Sequence, residues 1–150
     1  MKFYVDQRKV AMDDGKFKAQ YGMTIYSDQG RVLYSSAYYD DLSENKFENA
    51  LRAIDWAVKK FKVLLQNKVL PEEKVLFIIG SKTIYSWFEN EVAPEPYTIL
   101  LSDILFELSF VPCPFEVILS QSGGKRVVYR DSSDDKPLKA TDLLEAFKNQ

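Results

Sequence analysis

The chain has 150 residues, with 20 Lys or Arg, 22 Asp or Glu, and a formal net charge of −2. This length suits one domain with a substantial core, and the charge lacks the positive excess typical of tight nucleic-acid binders. There is no histidine, which excludes Ser-His-Asp and Cys-His catalysis and the usual zinc sites. We therefore expect a single domain over residues 1–150, in which any acid–base chemistry comes from carboxylates, Lys, Tyr or metal-bound water.

The sequence has no features of a membrane or secreted protein. No apolar stretch is long enough to span a bilayer, and the chain begins with a strand-like alternation rather than a signal peptide. The single cysteine, Cys113, lies between Pro112 and Pro114, so no intrachain disulfide is expected. These features predict a cytoplasmic protein without membrane contact.

The first forty residues predict an antiparallel meander. Alternating apolar and polar residues predict three strands, over residues 2–10, 17–27 and 31–39. Turn signals at Asp13-Asp14-Gly15 and Ser27-Asp28-Gln29-Gly30 separate these strands, and such short connections favour antiparallel pairing. Asp6 falls near the end of the first strand.

A single apolar stripe predicts a long helix that begins after Asn45. The stripe consists of Phe47, Ala50, Leu51, Ile54, Val58, Phe61 and Leu65. Asn45 is the predicted N-cap, and Glu48 three residues later fits a capping box. Glu48 also lies one step off the stripe, where it could point at a sheet edge. It therefore has two interpretations, as part of the helix cap or as a functional carboxylate.

The middle of the chain predicts a buried strand followed by two helices. The continuous apolar run over 75–80 predicts a parallel strand that is buried on both faces and reached by a right-handed crossover. Ser81 is predicted to cap a short helix that ends before Pro94, and a further helix is predicted over 97–110. The alternation of strands and helices is typical of an α/β domain.

The last part predicts one more strand and a final helix. The strand covers residues 115–119, and residues 122–126 predict a loop or hairpin that residues 127–129 extend. Thr141 is the predicted cap of the last helix. The complete predicted order of elements is β-β-β-α-β-α-α-β-α.

This order resembles that of ribonuclease H over most of the chain. The resemblance is densest between Asp6 and Lys60, where four motifs match the family's strand-two glycine, hairpin and Asn-Arg-x-Glu helix start. These motifs are Tyr21-Gly22, the hairpin, Tyr38-Tyr39 and Asn45-Lys46-Phe47-Glu48. The resemblance implies an α/β ribonuclease H-like fold with a mixed five-stranded sheet, its first three strands antiparallel, and helices on both faces.

The resemblance also implies a site in which four carboxylates hold two divalent metal ions. Asp6 matches the aspartate that bridges both ions, Glu48 the helix glutamate, and Asp142 the aspartate that opens the last helix. Gly80 stands where the family has its third carboxylate, just after the fourth strand. The implied catalytic residues and metal ligands are thus Asp6, Glu48 and Asp142, and we expect this reduced set to bind Mg²⁺ or Mn²⁺ weakly.

Three functions are compatible with these residues. The first is a ribonuclease H-like module that binds an RNA–DNA hybrid or other nucleic acid through Arg8, Asn45 and Lys125, with a degenerate site and weak or no nuclease activity. Gly80 and the acidic balance favour it. The second is an active metal-dependent endoribonuclease that cleaves the RNA strand of hybrids. The third is an inactive scaffold for a protein partner or a homodimer, which the aromatic residues at 84–88 would suit.

Overall fold

The computed structural model describes residues 1–120 and 126–130. Its strands are β1 (Lys2–Ala11), β2 (Phe17–Tyr26), β3 (Val32–Asp40), β4 (Val75–Ile79) and β5 (Phe115–Leu119). Its helices are α1 (Lys46–Gln66), α2 (Lys82–Asn90) and α3 (Thr98–Leu108), and a 3₁₀ turn at Glu95–Tyr97 leads into α3. The predicted order is confirmed as far as β5. The predicted final helix and the Gly123-Gly124 loop lie outside the described residues.

The five strands form one mixed sheet in the order β3-β2-β1-β4-β5. β1, β2 and β3 pair antiparallel, whereas β4 pairs parallel with both β1 and β5. Gly15 and Gly30 adopt positive φ angles of 80° and 83° in the two turns of the meander, a conformation that glycine adopts without steric cost. α1 makes the crossover from the β3 edge to the opposite side of β1, which places β1 at the centre of the sheet.

One face of the sheet carries the hydrophobic core. Phe3 of β1 stacks on Phe61 of α1 and on Phe77 of β4, with ring centroids 4.9 Å and 5.1 Å apart. Side chains of α2 and α3, such as Trp87 and Ile104, are buried in the same cluster. The predicted stripe of α1 is confirmed as the side of the helix that enters this core. Within the described residues, no helix is long and apolar enough to cross a membrane.

On the opposite face, a stretch of extended backbone lies across β2 and β3. We call residues 126–130 the crossing segment. The Thr24 hydroxyl accepts a hydrogen bond from the Val128 N–H at 2.9 Å, and the Ser35 hydroxyl donates to the Val128 carbonyl at 2.5 Å. Side-chain hydroxyls of the sheet therefore make hydrogen bonds to the backbone of the segment, where a neighbouring strand would use its own backbone groups.

Residues 127–129, predicted to extend a loop or hairpin after β5, do not pair with β5, and residues 121–125 of that predicted loop or hairpin lie outside the described residues. Within the described residues, the pairing partner of β5 is β4, and the crossing segment packs on the far side of β1. The crossing segment can lie on β2 because Gly22 has no side chain and leaves a gap on the outer face of that strand. A Cβ built on Gly22 would lie 2.5 Å from Val127 Cγ1 and 2.7 Å from Tyr129 Cε1, so these side chains fill the gap.

Candidate functional site

Asp6 of β1 and Gly80, just past the end of β4, line the same cavity. β1 and β4 are in parallel register up to the pair Tyr4 and Ile78, and β4 ends one residue later at Ile79. On the β2 side Asp6 pairs directly with Gly22. Asp6 thus has a glycine as its partner on β2, and a second glycine lies in the cavity that it lines.

A cavity of about 280 Å³ lies where β1 runs past the end of β4. It is lined by Val5, Asp6, Gln7, Ala50, Ala53, Ile54, Phe77, Ile78, Ile79, Gly80, Ser81 and Ile84. The α1 side of this cavity is made of small and apolar side chains. Asp6 is its one acidic residue, and the other polar side chains that line it are Gln7 and Ser81.

The Asp6 carboxylate is also close to Tyr129 of the crossing segment. Its Oδ1 accepts a hydrogen bond from the Gln7 N–H at 2.8 Å. The Tyr129 hydroxyl is buried, and burial together with the negative charge of Asp6 raises the pKa of that hydroxyl. Tyr129 therefore belongs to the surroundings of Asp6.

Glu48 lies in the first turn of α1, outside the lining of the cavity. The Ser43 hydroxyl donates a hydrogen bond to its Oε2 at 2.5 Å, and the Arg52 guanidinium bonds to its Oε1 at 2.8 Å. Each carboxylate oxygen of Glu48 thus has a partner in the loop before the helix or on the helix itself. To ligate a metal ion beside Asp6, Glu48 would have to give up or share these contacts.

Asn45 is the N-cap of α1, as predicted, and its Oδ1 accepts from the backbone N–H groups of Phe47 and Glu48. The prediction that Glu48 completes a capping box is wrong, because the Asn45 N–H donates to the Ser43 hydroxyl and not to Glu48. The Asn45 side-chain amide also donates to the Tyr97 hydroxyl, just before α3. Asn45 therefore ties the start of α1 to the start of α3.

Arg8, a candidate nucleic-acid contact, lies on the outer face of β1. Its Nε donates to the Gln20 side chain at 2.7 Å, and its guanidinium lies 4.0 Å from the centre of the Tyr129 ring. This stacking helps to hold the crossing segment against the sheet. The remaining predicted site residues, Asp142 and Lys125, lie outside the described residues.

Solved structures share the fold described above, although no protein-family model and no curated protein matches the sequence. A ribonuclease H1 isolated from compost by a metagenomic approach, solved with an RNA/DNA hybrid, superposes with a TM-score of 0.65 at 16% identity, covering 84% of this chain and 89% of that one. The chain has a ribonuclease H-like fold. The ribonuclease H1 of the halophilic archaeon Halobacterium salinarum gives 0.61 at 8% identity, with 85% and 92% covered.

A viral structure extends the comparison. The protease-reverse transcriptase of prototype foamy virus matches with a TM-score of 0.55 at 17% identity, and the match covers 98% of this chain and 20% of the viral one. The predicted ribonuclease H-like class, α/β with a mixed five-stranded sheet and helices on both faces, agrees with these structures. At such low identity the likeness establishes the fold, and function has to be argued from the site.

The described donors do not fit the two-metal site that a ribonuclease H-like fold implies. Within residues 1–120 and 126–130, no three His, Cys, Asp or Glu side chains come together as a metal-binding group. Asp6 is the one carboxylate among the residues that line the cavity, Gly80 contributes no side chain, and Glu48 is bonded elsewhere. Hard divalent cations prefer several carboxylate oxygens, so these residues alone form an incomplete site.

Two residues that shape the site were missed in the sequence. Ser43 holds Glu48 and the cap of α1, and its only signal was its place in the polar approach to the helix. Tyr129 packs beside Asp6, although the two are far apart in sequence. Val127-Val128-Tyr129 was predicted only to extend the loop or hairpin after β5, and its sequence did not indicate which part of the sheet it would cover.

Proposed function

We propose that this chain is a ribonuclease H-like module that binds nucleic acid, with an RNA–DNA hybrid as the preferred class, and has weak or no nuclease activity. The observation that carries the proposal is that Asp6, as the one acidic lining residue, shares a cavity with Gly80. A neighbour with the same fold was solved in complex with an RNA/DNA hybrid, which supports the class of partner.

The reduced site explains why catalysis would be weak. In two-metal hydrolysis, bound ions supply an activated water and stabilise the leaving oxygen, and this requires tight positioning. Asp6 would hold a cation here, with Glu48 and Asp142 as further proposed ligands. The Ser43 and Arg52 bonds of Glu48 compete with that role. We therefore expect Mg²⁺ or Mn²⁺ to bind weakly.

Binding of nucleic acid would rest on two basic residues and one amide. The proposed contacts are Arg8, Asn45 and Lys125. To keep its stacking on Tyr129, Arg8 would have to bind a phosphate through the guanidinium nitrogens that do not bond to Gln20. The net charge of −2 adds no general attraction to phosphate. We expect moderate affinity that decreases as the salt concentration rises.

The test is binding and cleavage of a labelled RNA–DNA hybrid during a Mn²⁺ titration. The native chain should bind the hybrid without turnover, whereas Gly80→Asp should gain Mn²⁺-dependent cleavage because it restores a carboxylate beside Asp6. Gly80→Asn is the matched control, since it adds the same bulk without the charge and should remain inactive. Asp6→Asn combined with Gly80→Asp should lose any activity gained.

Two results would reject this function. Cleavage by the native chain that disappears in Asp6→Asn would establish an active nuclease, the second hypothesis. Absence of both binding and cleavage in native and Gly80→Asp chains, with a defined oligomer in light scattering, would support the protein scaffold. The scaffold has some support in the exposed apolar residues of α3 and its C-terminal end, namely Ile99, Phe106 and Phe110.

A further inference from the structure

β5 is an edge strand whose outer backbone groups have no strand to pair with among the described residues. The hydrogen bonds at its two ends go to β4, from the Ser120 N–H and to the Pro114 carbonyl. Because a parallel ladder uses alternate residues, the backbone groups that point away from β4 are those of Phe115, Val117 and Leu119. β5 therefore presents a short row of donors and acceptors to an incoming strand.

A groove of about 640 Å³ runs beside this edge. We call it the edge groove, and it is lined by Tyr85, Phe88 and Glu89 of α2 and by Phe115–Leu119 of β5. Its base is apolar, because Phe88 and Phe115 both pack against Phe77 of the core. Its α2 side is polar, where the Tyr85 hydroxyl donates to Glu89 at 2.5 Å.

The charges of the edge groove select its occupant. Glu89 and Glu116 both line it, and Lys74 bonds to Glu116 at 3.1 Å with both side chains more than half exposed. A second copy of this chain, added strand to strand, would bring a second set of these carboxylates to the same place. A basic partner would instead pair with them.

We propose that the edge groove binds an extended peptide with alternating apolar and basic residues, which adds to the sheet beside β5. The peptide backbone would bond to the outward groups of Phe115, Val117 and Leu119. Its apolar side chains would alternate into the groove against Phe88. Its basic side chains would lie on the other side of the strand, near Glu116.

The test uses the full chain and a fluorescent synthetic peptide of alternating Lys and Val, with binding followed by polarisation. Two analogues carry N-methyl groups on every second residue, one on the Lys nitrogens and one on the Val nitrogens. Only one edge of an added strand faces β5, so one analogue should bind about tenfold more weakly while the other binds like the parent. A peptide of alternating Glu and Val should bind more weakly than both.

Variants of the edge groove give a second measurement. Val117→Pro removes an outward N–H and leaves the bonds between β4 and β5 in place, so it should weaken parent-peptide binding. Val117→Thr keeps the N–H and the branched shape and should bind like the native chain. Glu116→Gln should weaken binding and reduce its salt dependence. If Val117→Pro fails to fold, the two N-methyl analogues still decide the question.

Four results would overturn the proposal. They are equal binding of the two N-methyl analogues, equal binding of the Glu-Val peptide, native affinity in folded Val117→Pro, and no binding of any peptide. Concentration-dependent dimerisation that Val117→Pro abolishes would instead assign the edge groove to a second copy of the chain.

Discussion

Gly22 allows the crossing segment to lie flat on the sheet beside Asp6. Val127 and Tyr129 occupy the space above its Cα, and Arg8 covers the Tyr129 ring from the β1 side. Any side chain at position 22 would meet atoms closer than 3.0 Å, which real Cβ atoms do not tolerate. The missing side chain thus determines what surrounds the Asp6 carboxylate.

Gly22→Ala should displace the crossing segment and lower the free energy of unfolding by about 1–3 kcal/mol, the usual cost of overpacking. Chemical denaturation measures the loss, and limited trypsin digestion at Arg126 and Arg130 reports whether the segment has left the sheet. In a Val127→Ala, Tyr129→Ala background the same substitution should cost much less. An equal cost in both backgrounds would mean that Gly22 matters for another reason.

At the scale of elements, the start of α1 organises one side of the site. Asn45 caps α1 and bonds to Tyr97, and Ser43 bonds to both Glu48 and the Asn45 backbone. Arg52 binds the other Glu48 oxygen. The N-terminal turn of the helix is therefore held by its own preceding loop. Both carboxylate oxygens of Glu48 are therefore already bonded.

Asn45→Ala should destabilise the chain by about 1 kcal/mol, because two backbone N–H groups of α1 lose their side-chain acceptor. Asn45→Asp is the control, since it keeps the acceptor at the N-terminus of the helix and loses only the bond to Tyr97. Thermal and urea unfolding of the three chains measure the difference. If Asn45→Asp were as unstable as Asn45→Ala, the Tyr97 contact would be the more important one.

For the molecule as a whole, stability should fall at alkaline pH. Burial and a 3.0 Å hydrogen bond to Asp40 raise the pKa of Tyr21 above its ordinary value. Because this pKa is higher in the folded chain, Tyr21 stabilises the fold fully below the unfolded pKa, near ~10, and the contribution is lost as the pH rises beyond it. Tyr21→Phe should flatten the pH dependence of unfolding above that value.

The comparison of the two chains needs the same denaturant series at neutral and alkaline pH. Tyr21→Phe is expected to be somewhat less stable than the native chain at neutral pH, since Asp40 Oδ2 loses its hydrogen-bond donor. If the two chains lost stability in parallel between neutral and alkaline pH, ionisation of Tyr21 would have no part in alkaline unfolding.

Most of the sheet and its helices followed from local sequence patterns. β1 to β4 and α1 were predictable because their apolar spacing matches the periods of strands and helices, and turn residues separate them. The crossing segment was not predictable, because its place depends on a gap at Gly22 that only the folded sheet creates. The neighbourhood of Asp6 was predictable in part. Gly80 followed from the resemblance, whereas the bonds of Glu48 depend on Ser43 in the folded loop.

The central place of β1 has a consequence for how the chain folds. β1, β2 and β3 are consecutive and joined by tight turns, so the meander can assemble from local contacts. The other edge of β1 pairs with β4, which is synthesised only after the whole of α1. During synthesis the parallel edge of β1 is therefore exposed as an unpaired, partly apolar strand, and α1 is the element that shortens this period by carrying β4 back to it.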